Sequence, residues 1–206
     1  MRIKMKKAKI AVLVSGGGTN LQALINAEKK GIIKSGEIAL VVSDNPTAFA
    51  LKRAEKAGIK TAVVSKTEYK DSEAFEAALL KTLEGVDLVV LAGFMKILSA
   101  GFVRHFENRM INVHPSLIPS FCGEGYFGLR VHRAALEKGV KVTGATVHFV
   151  NEIPDGGKII MQKAVEVKDG DTPETLQKRV MRLAEWKILP ESAEKVCAAI
   201  VKGEKI

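Results

Sequence analysis

An open α/β sheet, mostly parallel, with helices on both faces and a late antiparallel strand pair, is the fold the sequence predicts. Three observations carry it. Short, continuously apolar, β-rich runs recur at residues 10–14, 38–42, 61–64, 86–92 and 110–113, the texture of strands buried on both faces. Segments of helical periodicity separate them, and strand alternating with helix is the signature of a parallel sheet covered on both sides. After Gly139 the alternation stops, and two longer strand candidates, 142–150 and 158–167, come next with only a turn between them. Together these describe a Rossmann-like architecture.

The first run, Ile10 to Val14, stops at a glycine cluster, and a helix is expected from about Asn20. Phe75, Ala78, Leu79 and Leu83 are spaced three to four apart, on one face of a helix begun near Asp71 or Ser72. The segment from Asn151 to Gly157 is rich in turn formers, so the late strands read as a hairpin-like pair. Thr172, Pro173 and Glu174 give a helix start, with a Thr cap, Pro at the first helical position and an acid in the first turn. That helix is expected to reach about Leu189, with a last helix at 191–201.

A chain of 206 residues suits one ordinary domain, and with 47% hydrophobic residues it can build a core, so global disorder is excluded. Lys and Arg exceed Asp and Glu by 32 to 23, a net charge of +9. That balance raises the question of nucleic acid. Aromatics make up only 5% of the chain and no stretch interleaves Arg with Phe or Tyr as a base-stacking platform needs, so a nucleic-acid partner is not expected. Apart from a Lys-rich start at Lys4, Lys6, Lys7 and Lys9 the excess is dispersed. Solvated lysines on helix faces account for it, with attraction of an anionic small substrate next.

Cys122 and Cys197 give neither a disulfide framework nor a zinc spacing, and His105, His114, His132 and His148 show no ligand spacing. No metal is expected. The apolar runs are strand-sized, and the basic start lacks the apolar stretch and cleavage site of a secretory signal. The expectation is a cytoplasmic protein without a membrane partner.

In open α/β sheets ligands collect beyond the carboxyl ends of the strands, which directs attention to three loops. The first, Ser15, Gly16, Gly17, Gly18, Thr19 and Asn20, sets glycines and hydroxyls before a helix N-terminus, where free N–H groups and the helix dipole favour a phosphate. It lacks the Gly-Lys-Ser/Thr ending of a Walker loop and the third glycine of the dinucleotide fingerprint, so a tight strand-to-helix turn stays open beside the favoured phosphate reading. The second runs from Gly93 to Leu98. In the third, Asn112 and His114 are two apart at a strand end, so both side chains leave one face with Cα atoms about 6.5 Å apart. A carboxamide and an imidazole there supply a hydrogen-bond donor and a proton carrier, as acyl transfer needs; a histidine packed for structural reasons fits as well. Asp155 lies in the late turn, where Asp is commonly a turn former.

The ordered set Leu91 to Ser99, Ile111 to Pro119, and Thr146 to Val150 leading to Asp155, Gly156 and Gly157 resembles the phosphoribosylglycinamide formyltransferase family, the folate-dependent transformylases of purine synthesis, over nearly the whole chain. The resemblance implies an enzyme that moves the formyl group of its co-substrate 10-formyltetrahydrofolate to the amine of 5'-phosphoribosylglycinamide, by direct amine attack through a tetrahedral intermediate. It implies a catalytic trio of Asn112, His114 and Asp155. Ser15 to Asn20 would cradle the phosphate, and Glu185 would contact the ribonucleotide. Met95, Lys96, Ile97 and Leu98, with Asn151, Glu152, Ile153 and Pro154, would hold the pterin. His148 either lines that folate pocket or bonds within the core. Asn112 and His114 would stabilise the oxyanion, with Asp155 keeping His114 protonated and helping to relay the amine's proton. The domain is read as one unit, 1–206, with a nucleotide-binding half of about 1–105 and a folate and catalytic half of about 106–206, acting as a monomer or homodimer.

Two departures stand out: the segment from Phe121 to Leu129 is several residues longer than the commoner loop, and Lys158 replaces the usual Pro after the glycine pair. The match at the late helix is looser, because the spacing around Met181, Arg182, Leu183 and Ala184 differs from the family form. A formyltetrahydrofolate hydrolase would share the trio but carries a further N-terminal regulatory domain, and methionyl-tRNA formyltransferase carries a further C-terminal one; the length of this chain is expected to accommodate neither. A non-catalytic nucleotide-binding module would explain the glycine loop but not the trio.

Overall fold

The computed structural model describes residues 6–204, so Lys4 of the basic start lies outside the described residues. Among the described residues seven strands form one sheet in the order β3-β2-β1-β4-β5-β6-β7. They are β1 (Ala8–Val14), β2 (Gly36–Ser43), β3 (Lys60–Val63), β4 (Leu88–Leu91), β5 (Met110–His114), β6 (Val142–Phe149) and β7 (Ile159–Glu166). The first five are parallel; β6 runs antiparallel to both β5 and β7. The expected open, mostly parallel sheet with a late antiparallel pair is the one found.

Alternation along β1 shows why its run is apolar throughout. Ile10, Val12 and Val14 enter a core shared with helices α1 (Thr19–Lys29), α2 (Phe49–Lys56), α6 (Pro173–Val180) and α7 (Trp186–Lys202). Ala11 and Leu13 point the other way, into a second core with α3 (Ser72–Thr82) and α4 (Ala100–His105). Both faces are covered, so neither tolerates a polar side chain. On α3, Phe75 and Leu79 are buried as the periodicity predicts, and Asp71 caps the helix by accepting from the Ala74 N–H at 2.8 Å. Helix α5 (Leu129–Lys138) comes after the long 121–128 segment.

The C-terminal helices depart from expectation. The break expected near Leu189 is absent, and Pro190 sits inside α7. Pro190 removes one i to i−4 bond there, but Ile188, Leu189, Ala193, Val196 and Cys197 bury the same helix face, and that packing carries the helix through. The irregularity lies earlier: Met181–Glu185 is a five-residue π segment between α6 and α7, on the residues whose spacing departs from the family form. A π-bulge lets a helix absorb an altered spacing while the next helix keeps its packed face. No helix among the described residues is long and apolar enough to cross a membrane.

Strand order reverses between β1 and β4, whose chain neighbours lead off in opposite directions across the sheet. The crevice of such a sheet opens there. Two expected loops meet at it, because the Ser15 N–H donates to the Gly93 carbonyl at 3.1 Å and the Met95 N–H to Ser15 Oγ at 2.8 Å.

Candidate active site

A cleft of about 840 Å³ lies at this reversal, lined by Asn20, the 93–97 loop, Asn112, His114, the 123–128 segment, Asp155 and Glu185. A side pocket of about 170 Å³ continues from it between the 94–98 and 150–155 loops.

At the floor, β5 and β6 bring three polar side chains together, Asn112, His114 and His148, and the late turn adds a fourth. Antiparallel register sets Asn112 opposite His148, and Asn112 Nδ2 approaches His148 Nε2 at 3.3 Å. The Nδ1–H of His148 donates to the Phe149 carbonyl at 2.8 Å, which leaves Nε2 as the acceptor for the Asn112 amide and fixes that amide's orientation. Asp155 comes over from the late turn: Oδ2 is 3.4 Å from His114 Nδ1 and Oδ1 is 3.5 Å from His148 Nε2. The turn reaches so far because Gly157 lies against the Phe149 carbonyl, where any Cβ would collide with that oxygen. Asp155 itself adopts a positive φ of 55°, which Asp tolerates better than most residues.

The long segment after Pro119 closes over this cluster. His114 Nε2–H donates to the Phe121 carbonyl at 2.9 Å, and the Gly123 N–H donates to Asp155 Oδ2 at 2.9 Å. Burial lowers the His114 pKa, and it outweighs the Asp155 charge and the Phe121 carbonyl, which raise it. Asp155 thus favours the protonated imidazole while burial opposes it, and the Phe121 carbonyl holds a proton on Nε2. Burial pushes Asp155 upward, but His148, the Gly123 N–H and His114 around it bring it below the usual carboxylate value.

On the opposite wall, residues 165 apart in sequence meet. Asn20 Nδ2 donates to Glu185 Oε2 at 2.8 Å, and Asn20 Oδ1 is buried without a partner among the described residues. Glu185 is 6% exposed, and burial pushes its carboxyl up to about 7 against the lowering effect of Asn20. The glycine loop beside it is backbone-built. Gly18 takes a φ of 70° at the head of α1, which has no side-chain cap.

The expected folate residues divide. Ile97, Leu98, Asn151, Ile153 and Pro154 line the side pocket together with His148, whose ring also bonds to the Phe149 carbonyl. Ile97 and Ile153 are 85% and 66% exposed, apolar surface with nothing over it, and Met95 lies on the rim of the main cleft. Glu152, though at the pocket edge, is paired with Arg104 of α4. Lys96 turns to Asp44 at the end of β2, 3.5 Å away, a carboxylate the sequence did not single out. His132 was also missed as a site residue. It is fully buried on the cleft wall with neither ring nitrogen partnered among the described residues, and burial, with the His114 charge, pushes it down to about 4. Its spacing on α5 is that of any core-facing residue, so no sequence signal marks it. Among the described residues no cluster of His, Cys, Asp and Glu is arranged to hold a metal ion.

A formyl transferase family model matches residues 8–193. The chain is 47% identical over 202 residues to the trifunctional purine biosynthetic protein adenosine-3 of Bos taurus, covering 97% of this chain and 19% of that one, so it spans about a fifth of that relative's length. It is 44% identical to the phosphoribosylglycinamide formyltransferase of Escherichia coli K12, covering 83% of this chain and 79% of that one. Among solved structures, glycinamide ribonucleotide transformylase 1 from Symbiobacterium toebii superposes with a TM-score of 0.89 at 41% identity, covering 97% and 92% of the two chains.

Proposed function

The chain belongs to the formyl transferase family, and from that premise we propose that it transfers the formyl group of 10-formyltetrahydrofolate to the amine of 5'-phosphoribosylglycinamide, a step of purine biosynthesis. The observation that carries this reading is the convergence of Asn112, His114, His148 and Asp155 within about hydrogen-bond reach of one another at the floor of a cleft whose mouth adjoins the glycine loop. The 15–20 loop takes the phosphate, Asn20 and Glu185 the ribonucleotide, and the side pocket with Met95, Lys96, Ile97 and Leu98 the pterin. The two halves of the domain, about 1–105 and 106–206, supply the nucleotide and the folate side respectively. Two unpaired thiols, Cys122 and Cys197, support a reducing cytoplasmic setting, and the protein acts on small molecules without a metal, as a monomer or homodimer.

The chemistry is set by the atoms available. The substrate amine attacks the formyl carbon and the carbonyl oxygen becomes an oxyanion. Asn112 keeps one amide N–H on His148 and has a second free to donate to that oxyanion. His114 Nδ1 takes the proton the amine loses, and the Asp155 carboxylate 3.4 Å away stabilises the imidazolium. The same proton then passes to the departing folate nitrogen as the carbon–nitrogen bond breaks. No enzyme nucleophile is needed. Ser116, buried and bonded to the Ser120 carbonyl, takes no part.

The test is to follow deformylation of 10-formyltetrahydrofolate with and without the ribonucleotide. Strict dependence on the ribonucleotide is expected. Equal rates without it would assign the site to hydrolysis instead.

A further inference from the structure

Helix α2 takes two successive carbonyls of the glycine loop. The Ala50 N–H donates to the Gly16 carbonyl at 3.0 Å, and Arg53 Nε donates to the Gly17 carbonyl at 2.8 Å. In a trans peptide the carbonyl and the following N–H point in opposite directions. The N–H groups of Gly17 and Gly18 are thereby turned away from α2, and neither has an acceptor among the described residues. Successive free N–H groups of this kind, leading into an uncapped helix, form an anion-binding concavity. Arg53 is itself held firmly: Nη1 donates to Gln22 Oε1 at 3.1 Å, and the guanidinium lies 5.0 Å above the Phe49 ring. Its planar fork can grip a carbonyl and a side-chain amide at once, which a lysine ammonium on a flexible stem does less well.

We propose that Arg53 is a positioning residue for the acceptor's phosphate: by holding the Gly17 carbonyl it aims the loop's N–H groups at the anion, and it fixes a positive charge behind them. This rests on the phosphate reading of the 15–20 loop. Arg53 acts through the loop backbone and its field rather than through the reacting atoms, so its effect falls on phosphate affinity and not on the chemical step.

The experiment compares Arg53→Gln and Arg53→Lys with the parent enzyme on two acceptors, 5'-phosphoribosylglycinamide and the phosphate-free riboside, and measures inhibition by inorganic phosphate. In Arg53→Gln the ribonucleotide KM and the phosphate inhibition constant are expected to rise at least about tenfold. The kcat, the riboside constants and the formyl-folate KM stay within about twofold, because none of them involves phosphate. Arg53→Lys, which keeps the charge and a donor, recovers part of the loss. A KM rise shared equally by the riboside, or an unchanged ribonucleotide KM, overturns the proposal. A parent enzyme that uses the riboside as well as the ribonucleotide removes the phosphate reading, and Arg53's role with it. A parent that prefers the ribonucleotide, with the preference intact in Arg53→Gln, removes Arg53's role alone.

Discussion

The glycine loop after β1, which reaches the cleft at Asn20, and the polar cluster on β5 and β6 are built in opposite ways. The loop is backbone: the Gly16 and Gly17 carbonyls are engaged from behind and the N–H groups are left open in front. The cluster is side chain. Nearly every polar atom in it already has a neighbour, from the Asn112 amide on His148 to the Gly123 N–H on Asp155. Open donors suit a ligand that arrives with its own charge, such as a phosphate. A saturated, buried network suits proton movement, where each group must keep one orientation while charge shifts between neighbours. On the proposed function the contrast separates binding from chemistry, and it can be broken at either end.

The largest effect is expected within the cluster. Asp155→Asn removes the charge that stabilises the His114 imidazolium, and kcat should fall by about 10²- to 10⁴-fold while the ribonucleotide KM changes little. Steady-state kinetics read both; a large KM change with kcat intact would put Asp155 on the binding side. In the loop, Gly18→Ala should do the reverse. A Cβ at Gly18 would lie 2.6 Å from Ala50 Cβ and 2.8 Å from its Cα, so α2 must back away and release the loop carbonyls. The ribonucleotide KM should rise at least about tenfold, and overpacking should cost about 1–3 kcal/mol, seen as a lowered denaturation midpoint.

Two buried groups sharpen the contrast through pH, with opposite signs. The Glu185 pKa is raised from 4.5 to about 7, so the folded state holds a proton that the unfolded state gives up, and stability is lost as pH rises from 4.5 through 7. Glu185→Gln should remove that loss and be more stable than the parent at pH 8 by about 3 kcal/mol, with the ribonucleotide KM raised. His132 is depressed from 6.5 to about 4, so the unfolded state takes up a proton first, and stability is lost as pH falls from 6.5 through 4. In His132→Leu the acid-induced loss should shrink by about 2 kcal/mol at pH 5. Urea midpoints across pH 4.5 to 8 check both, and a parallel pH dependence in parent and variant would refute the corresponding assignment.

Much of the fold was legible because burial on both faces leaves an unmistakable apolar run, as in residues 10–14, and because Asp71 and Thr172 announce their helices. Pro190 misled, since a local rule about proline says nothing of the packing that holds α7 on either side of it. In the site, Asn112 and His114 could be read from strand alternation alone. Asp155 could not be brought to them by pattern: its approach depends on the β5–β6 register and on Gly157 clearing the Phe149 carbonyl. The resemblance supplied that link. The pairing of Asn20 with Glu185 and the downward push of burial on His114 come from tertiary structure, which spacing does not encode.

The most direct test traces the one-carbon unit itself. The parent enzyme is given 10-formyltetrahydrofolate labelled with carbon-13 in the formyl group, together with 5'-phosphoribosylglycinamide, and the label is located by NMR. Transfer by direct amine attack predicts that the label appears on the nitrogen of the ribonucleotide's glycinamide, in step with folate deformylation. Label recovered only as free formate, with the acceptor unmodified, would contradict it.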